Sequence, residues 1–187
     1  MANPEHIEPL DSLDRLTVRL YRGGLAAASI GLLLTSIALV AGPTEAWVHW
    51  AEVLTVAGIG SAIACMHLYD KYIRWIIGAA GWLGAILMMA GALDAGTPGN
   101  LLHHAGLGFF YVSLSAFALK EQFCFKIPLL RAVPAFLALS LIPLVAGMEI
   151  AAAPLLAIAG LVTARLTMAK VRMPLHFDIG SKDAYKI

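Results

Sequence analysis

The residues best suited to chemistry lie at one end of the apolar segments of this chain. Cys124 and Lys120 belong to the polar stretch KEQFCFK at 120–126, and His67 follows an earlier apolar run. A thiol beside lysines can act as a nucleophile when a histidine serves as its base. Cys65, His67 and Cys124 could instead bind a soft metal such as zinc, although a tetrahedral zinc site needs a fourth ligand.

A second group of polar residues lies at the opposite ends of two apolar segments. His49 and Glu52 are near the start of the second segment, and His103 and His104 open the fourth. Imidazole nitrogens here could bind a metal, haem or pigment, with Glu52 orienting a histidine. Adjacent histidines point about 100° apart on a helix, so His103 and His104 cannot easily share one ion. The alternative interpretation is that lipid headgroups and water solvate these residues.

The composition requires surroundings that are largely lipid. Of the 187 residues, 60% are hydrophobic and 13% are charged, whereas a soluble domain carries about 25% charged residues. The net charge of +1 argues against a nucleic-acid partner held by phosphate contacts. Two cysteines are too few for a disulfide framework. The polar and acidic first 23 residues do not have the pattern of a cleavable signal peptide.

Six apolar segments each approach the roughly 20 residues that a helix needs to span a bilayer. They lie at about 24–42, 47–66, 73–93, 101–119, 127–147 and 151–169. Pro134 and Pro143 are expected to bend the fifth of these helices. The sequence therefore predicts an all-α membrane protein with six transmembrane helices in one compact bundle. The single domain covers 1–187, with a cytoplasmic or interfacial segment at 1–23 and a cytoplasmic tail at 170–187.

The distribution of basic residues predicts the orientation of the bundle. All 13 lysines and arginines lie in the N-terminal segment, in the second and fourth loops, or near the C-terminal end. The first, third and fifth loops contain neither residue type. Because basic loops stay on the cytoplasmic side, both ends of the chain are expected to be cytoplasmic.

The segment before the first span has a helical pattern of its own. Leu13, Leu16 and Leu20 recur about once per helical turn, and Asp11 could cap a helix whose first turn also contains Asp14. We interpret residues 11–22 as a short amphipathic helix in the membrane interface. The alternative is that they form the start of a longer first helix.

Small residues inside the spans predict close contact between helices. Gly78, Gly81 and Gly84 are three residues apart, and Gly58 precedes Ala62 by four. Such faces let helix backbones approach each other in lipid, where the hydrophobic effect does not drive association. No span has a central charged residue, and HExxH, GxSxG and P-loop motifs are absent from the sequence. Transporters and enzymes of the soluble type are therefore unsupported.

Four polar segments at one end of the predicted spans carry a family resemblance. They read LYRGGL at 20–25, MHLYDKYIR at 66–74, KEQFCF at 120–125 and PLHFDIGSK at 174–182. They resemble the bacterial integral membrane proteins called domain of unknown function 2301, although Ser181 stands where the family pattern has an acidic residue. The resemblance implies a protein of the bacterial inner membrane whose activity is unassigned, and it implies no catalytic residues.

The resembling segments lie where topology brings the ends of the helices together. We therefore predict a network at the cytoplasmic rim that docks the tail against the bundle. Its expected members are Arg22, Tyr69, Lys120, Glu121, Cys124, Phe125 and Asp178, and the candidate cofactor-binding residues are His67, His103 and His104.

Three functions remain open at this point. The leading hypothesis is a non-enzymatic accessory or assembly subunit of a larger membrane complex, respiratory or photosynthetic. Its partners would be the lipid bilayer and other membrane-protein subunits. The second hypothesis is a protein that binds haem, pigment or quinone through a histidine. The third is a cytoplasmic-face enzyme that uses Cys124, His67 and Lys120.

Overall fold

All regular structure in the described residues is helical. The computed structural model describes residues 9–42, 45–94 and 96–185. Its helices are α1 (Ser12–Ala41), α2 (Glu45–Ala64), α3 (Lys71–Ala92), α4 (Thr97–Glu121), α5 (Val133–Val145), α6 (Glu149–Val171) and α7 (His176–Ile179), with 3₁₀ turns at Leu130–Ala132 and Lys182–Ala184. Five of these, α1 to α4 and α6, are long and apolar enough to cross a membrane. The predicted all-α, multi-pass architecture is confirmed to this extent.

The fifth apolar segment is shorter as a helix than the sequence suggests. We expected one span over about 127–147, but α5 contains 13 residues and follows a separate 3₁₀ turn. Leu129 adopts a left-handed conformation (φ 66°) before that turn, and Pro134 lies in the first turn of α5, where no backbone donor is needed. Only Pro143 is inside the helix. At about 1.5 Å per residue, α5 is roughly 20 Å long, so a sixth complete span remains a prediction.

Helix α1 is continuous from Ser12 to Ala41, so residues 11–22 form its first turns and not a separate helix. Asp11 caps it in the predicted way, because its carboxylate accepts a hydrogen bond from the Asp14 backbone at 2.7 Å. The Asp14 carboxylate in turn accepts one from the Asp11 backbone at 3.1 Å. With 30 residues the helix is about 45 Å long. It is therefore longer than the roughly 30 Å hydrocarbon core of a bilayer.

The helices pack in two closely apposed pairs. Helix α1 lies against α2 and α6, α3 lies against α4, and α5 lies between α4 and α6. A Cβ atom on Gly24 would lie 2.6 Å from the Gly58 carbonyl oxygen, and one on Gly84 would lie 2.8 Å from the Gly106 carbonyl oxygen. Gly58 and Gly84 are thus helix contacts as predicted, whereas Gly78 faces open space.

The parts of the chain that carry the basic residues meet at one end of the bundle, called the basic end below. It comprises the start of α1, the loop between α2 and α3, the end of α4 with the loop that follows, and the tail after α6. The Lys182 ammonium lies 2.6 Å from the Asp14 carboxylate, so the tail and the start of α1 are on the same side.

Candidate functional site

A group of four charged side chains is buried at the basic end. We call Arg22, Glu121, Lys170 and Asp178 the buried charge cluster, since their exposed fractions are 6%, 2%, 2% and 7%. The Lys170 ammonium contacts both carboxylates and lies 2.9 Å from Glu121 Oε1. The Arg22 guanidinium donates to Asp178 Oδ2 through Nε at 2.7 Å. Two cations and two anions therefore neutralise each other inside the protein.

Arg22 also holds the chain where it leaves α6. Its Nη1 donates to the Met173 carbonyl oxygen at 2.8 Å, and its Nη2 donates to the Pro174 carbonyl oxygen at 3.0 Å. Helix α6 ends at Val171, and the chain then turns back into α7, which brings Asp178 against α1. One guanidinium thus uses its planar set of donors to bind a carboxylate and two backbone carbonyls.

Aromatic rings surround the two lysines of this end. The Tyr21 hydroxyl donates to Glu121 Oε1 at 3.1 Å, and its ring lies 5.2 Å from the Lys170 ammonium. Lys170 also lies 5.7 Å from the Phe125 ring. Lys120 is 5.5 Å from the Tyr21 ring and 3.4 Å from the Glu121 carboxylate. These cation–π contacts stabilise ammonium groups that have lost water.

The remainder of the tail docks on the loop between α2 and α3. The Ser181 backbone donates to the Tyr69 hydroxyl at 3.1 Å, and the Tyr69 and Tyr185 rings meet edge to face at 5.0 Å. The Tyr185 hydroxyl donates to the Ile179 carbonyl at 3.0 Å. Burial, with Tyr69 adding to it, raises the pKa of Tyr185 to about 12. The ring is thus neutral and is part of the docked tail.

A Gly180→Ala substitution is expected to detach the tail from this loop. Gly180 has φ 65°, and a Cβ atom there would lie 1.7 Å from the Tyr69 hydroxyl oxygen. An alanine at this positive φ would strain the backbone by about 1–3 kcal/mol, which adds to the clash. Amide hydrogen exchange in residues 176–185 should therefore accelerate by about tenfold or more. Gly147→Ala is the matched control, since Gly147 has φ 71° and open space around it. Unchanged exchange in the Gly180 variant would contradict the docking role of this contact.

His67 and Cys124 do not form a nucleophile–base pair among the described residues. The His67 Nε2 lies 3.2 Å from the Thr17 hydroxyl, and the His67 backbone carbonyl accepts from the Lys120 ammonium at 3.0 Å. Burial, followed by the nearby positive charge of Lys120, lowers the pKa of His67. Cys124 is exposed, and no hydrogen bond joins it to His67 in the described part of the chain.

Of the four polar residues predicted to meet at the opposite end of the bundle, two form a hydrogen bond with each other. His103 Nε2 lies 3.0 Å from the Glu52 carboxylate, which is buried between α2 and α4. His104 Nδ1 lies 2.8 Å from the Asn100 carbonyl oxygen of its own helix. His49 instead packs its ring against Trp50. Among the residues described, no group of three His, Cys, Asp or Glu side chains could hold a metal ion.

The structure places the residues predicted for the rim network as follows. Three of them, Arg22, Glu121 and Asp178, are in the buried charge cluster, and Lys120 and Phe125 line it. Tyr69 holds the tail, and Cys124 is exposed outside the cluster. Sequence reasoning missed the central position of Lys170 and the part played by Tyr21. The available signal in the sequence was the spacing of Thr163, Thr167 and Lys170, which puts three polar side chains on one face of α6. The structure buries all three.

A comparison with protein-family models gives the family of this chain. The family model described as "Uncharacterized integral membrane protein (DUF2301)" matches residues 50–187. A Haemophilus influenzae protein described as "Uncharacterized protein" is 32% identical over 191 residues, which cover 100% of both chains. No solved structure matches the chain. The predicted family resemblance is thereby confirmed, and the chain belongs to the DUF2301 family of integral membrane proteins.

Proposed function

We propose that this protein is a non-enzymatic accessory or assembly subunit of a larger complex, respiratory or photosynthetic, in a bacterial inner membrane. The observation that carries the proposal is the mutual pairing of Arg22, Lys170, Glu121 and Asp178. Charges that bind each other and the tail stabilise one arrangement of the bundle and are not presented to a substrate. The basic end would face the cytoplasm, since the lysines and arginines of the described residues lie in the parts of the chain that form it.

The outer face of α3 supports lateral association with other helices. Helix α3 packs mainly on α4, and its large side chains Trp75, Trp82 and Met89 are exposed. A groove of about 290 Å³ between α2 and α3 is lined by Trp82 together with Gly78 and other small residues. In a bilayer such a face is covered either by lipid or by another helix, and small residues favour close approach of a helix.

Native mass spectrometry of the mildly solubilised protein is the direct test of this proposal. The expected result is a stoichiometric complex with other membrane proteins. Trp82→Ala should reduce partner retention without changing the thermal stability of the isolated chain, because Trp82 is 75% exposed. Trp47→Ala is the control, since Trp47 is 66% exposed on α2 at the other end of the bundle. A lone chain or homo-oligomer from native membranes would overturn the proposal.

An enzyme at the basic end is the second candidate, favoured by one contact. The hydrogen bond from Lys120 to the His67 carbonyl brings two of the three expected groups to one rim, and Cys124 is exposed close to Lys120 in the chain. Cells that carry a Cys124→Ser variant would show loss of the protein's cellular function if the thiol were a nucleophile. Full function in that variant would exclude the thiol mechanism.

A further inference from the structure

The hydrogen bond of His104 determines which of its ring nitrogens carries the proton. His104 Nδ1 lies 2.8 Å from the backbone carbonyl oxygen of Asn100, one turn earlier in α4. A carbonyl oxygen only accepts hydrogen bonds, so Nδ1 must be the donor. In the neutral imidazole the other nitrogen, Nε2, then has a free lone pair. Nε2 of His104 can therefore act as a metal ligand or a hydrogen-bond acceptor, but not as a donor.

His104 borders an apolar groove between α4 and α5. The groove has a volume of about 410 Å³, and its walls include Gly108 and Phe109 of α4 with Leu141 and Val145 of α5. Among the described residues that line it, His104 is the one with a polar side chain. Gly108 lies one turn beyond His104 on the same helix face and adds no side chain there, and a Cβ atom on it would lie 3.1 Å from Leu141 Cδ1.

We propose that this groove binds a metallotetrapyrrole, with His104 Nε2 as the axial ligand of its metal. A bare metal ion would require further protein ligands, and no group of three His, Cys, Asp or Glu in the described residues supplies them. A tetrapyrrole brings four nitrogen ligands of its own, so one imidazole completes the coordination. A ligating histidine commonly donates its second N–H to a backbone carbonyl, which His104 already does.

The same geometry argues against the other small-molecule ligands considered from the sequence. A quinone carbonyl requires a hydrogen-bond donor, and the tautomer of His104 offers an acceptor. His103 is less available than its neighbour, because its Nε2 is engaged with the Glu52 carboxylate at 3.0 Å. His67 is also engaged through Nε2, by the Thr17 hydroxyl. Of His67, His103 and His104, His104 is the one whose Nε2 has no hydrogen-bond partner among the described residues, as an axial ligand requires.

Titration of the purified protein with ferric protoporphyrin in mild detergent tests this site. We expect a shifted Soret band with saturable binding, and His104→Ala should weaken binding by at least about tenfold. Val112→Trp should weaken it as well by filling the groove with His104 intact, since Val112 also lines the groove. His49→Ala is the control and should bind as the unaltered protein does, because His49 packs on Trp50.

Two outcomes would overturn the assignment. One is a spectrum identical to that of ferric protoporphyrin in empty detergent micelles. The other is equal affinity in the unaltered protein and in a His104→Ala protein that retains its elution volume and melting temperature. Both outcomes are independent of whether the protein has subunit partners, so this test is separate from that of the accessory role.

Discussion

A Lys170→Met variant is expected to lose about 3–5 kcal/mol of stability, the loss usual when one partner of a buried ion pair is removed. Methionine fills much of the volume of the lysine side chain, so the loss arises mainly from charge. Lys170 contacts Glu121 and Asp178, and both carboxylates are at least nine-tenths buried. Without the ammonium the cluster has two anions and only Arg22 as a buried cation. Thermal melting of detergent-solubilised protein, followed by gel filtration, measures the effect.

Two further variants separate charge from packing. Lys126→Met serves as the control, because Lys126 is exposed and should tolerate the change with a shift of at most about 0.5 kcal/mol. The double variant Lys170→Met/Glu121→Gln restores charge balance with Arg22 and Asp178, so it should recover part of the lost stability. Equal melting temperatures for Lys170→Met and Lys126→Met would show that the buried charge cluster does not stabilise the fold.

Alanine substitutions at two glycines of α2 are expected to have effects of opposite sign. A Cβ atom on Gly58 would lie 2.5 Å from the Ala28 backbone nitrogen and 2.6 Å from the Gly24 carbonyl oxygen. Backbone atoms cannot move aside as a flexible side chain can, so α1 and α2 must separate. Overpacking of this kind costs about 1–3 kcal/mol. A Cβ atom on Gly60 meets nothing within 4 Å.

Gly60→Ala should therefore be neutral or stabilising. Alanine in a helix is favoured over glycine by roughly 0.5–1 kcal/mol, and this gain applies at both positions. The difference between the two melting temperatures thus isolates the contact of α1 with α2. If Gly58→Ala raised the melting temperature as much as Gly60→Ala, the close approach of the two backbones would be disproved.

The positions of the long helices could be predicted because lipid imposes a simple requirement on the sequence. A span needs about 20 apolar residues, and the backbone must satisfy its own hydrogen bonds. Helix α5 departs from this rule for a local reason. Leu129 turns the chain in a left-handed conformation, and Pro134 favours a helix start nearby, so the first residues of the apolar segment are not α-helical. A hydropathy profile detects neither the left-handed turn at Leu129 nor the helix start near Pro134.

The sequence predicts most of the residues of the candidate site, but it does not predict which of them contact each other. Charged residues next to apolar segments are costly unless they are paired, so the sequence identifies Arg22, Glu121 and Asp178 as candidates. Their partners depend on tertiary packing, as the hydrogen bond from Arg22 to Asp178 spans 156 positions in the chain. Lys170 lies near the end of α6, and the close contact of α6 with α1 buries it.

The order of the four buried charges along the chain has a consequence for biosynthesis. Arg22 is translated first, then Glu121, then Lys170 and finally Asp178, so positive and negative charges alternate in time. As each helix leaves the ribosome and enters the membrane, the sum of these four charges stays between zero and plus one. A nascent chain therefore never has to hold two uncompensated charges of this set while its later helices are inserted.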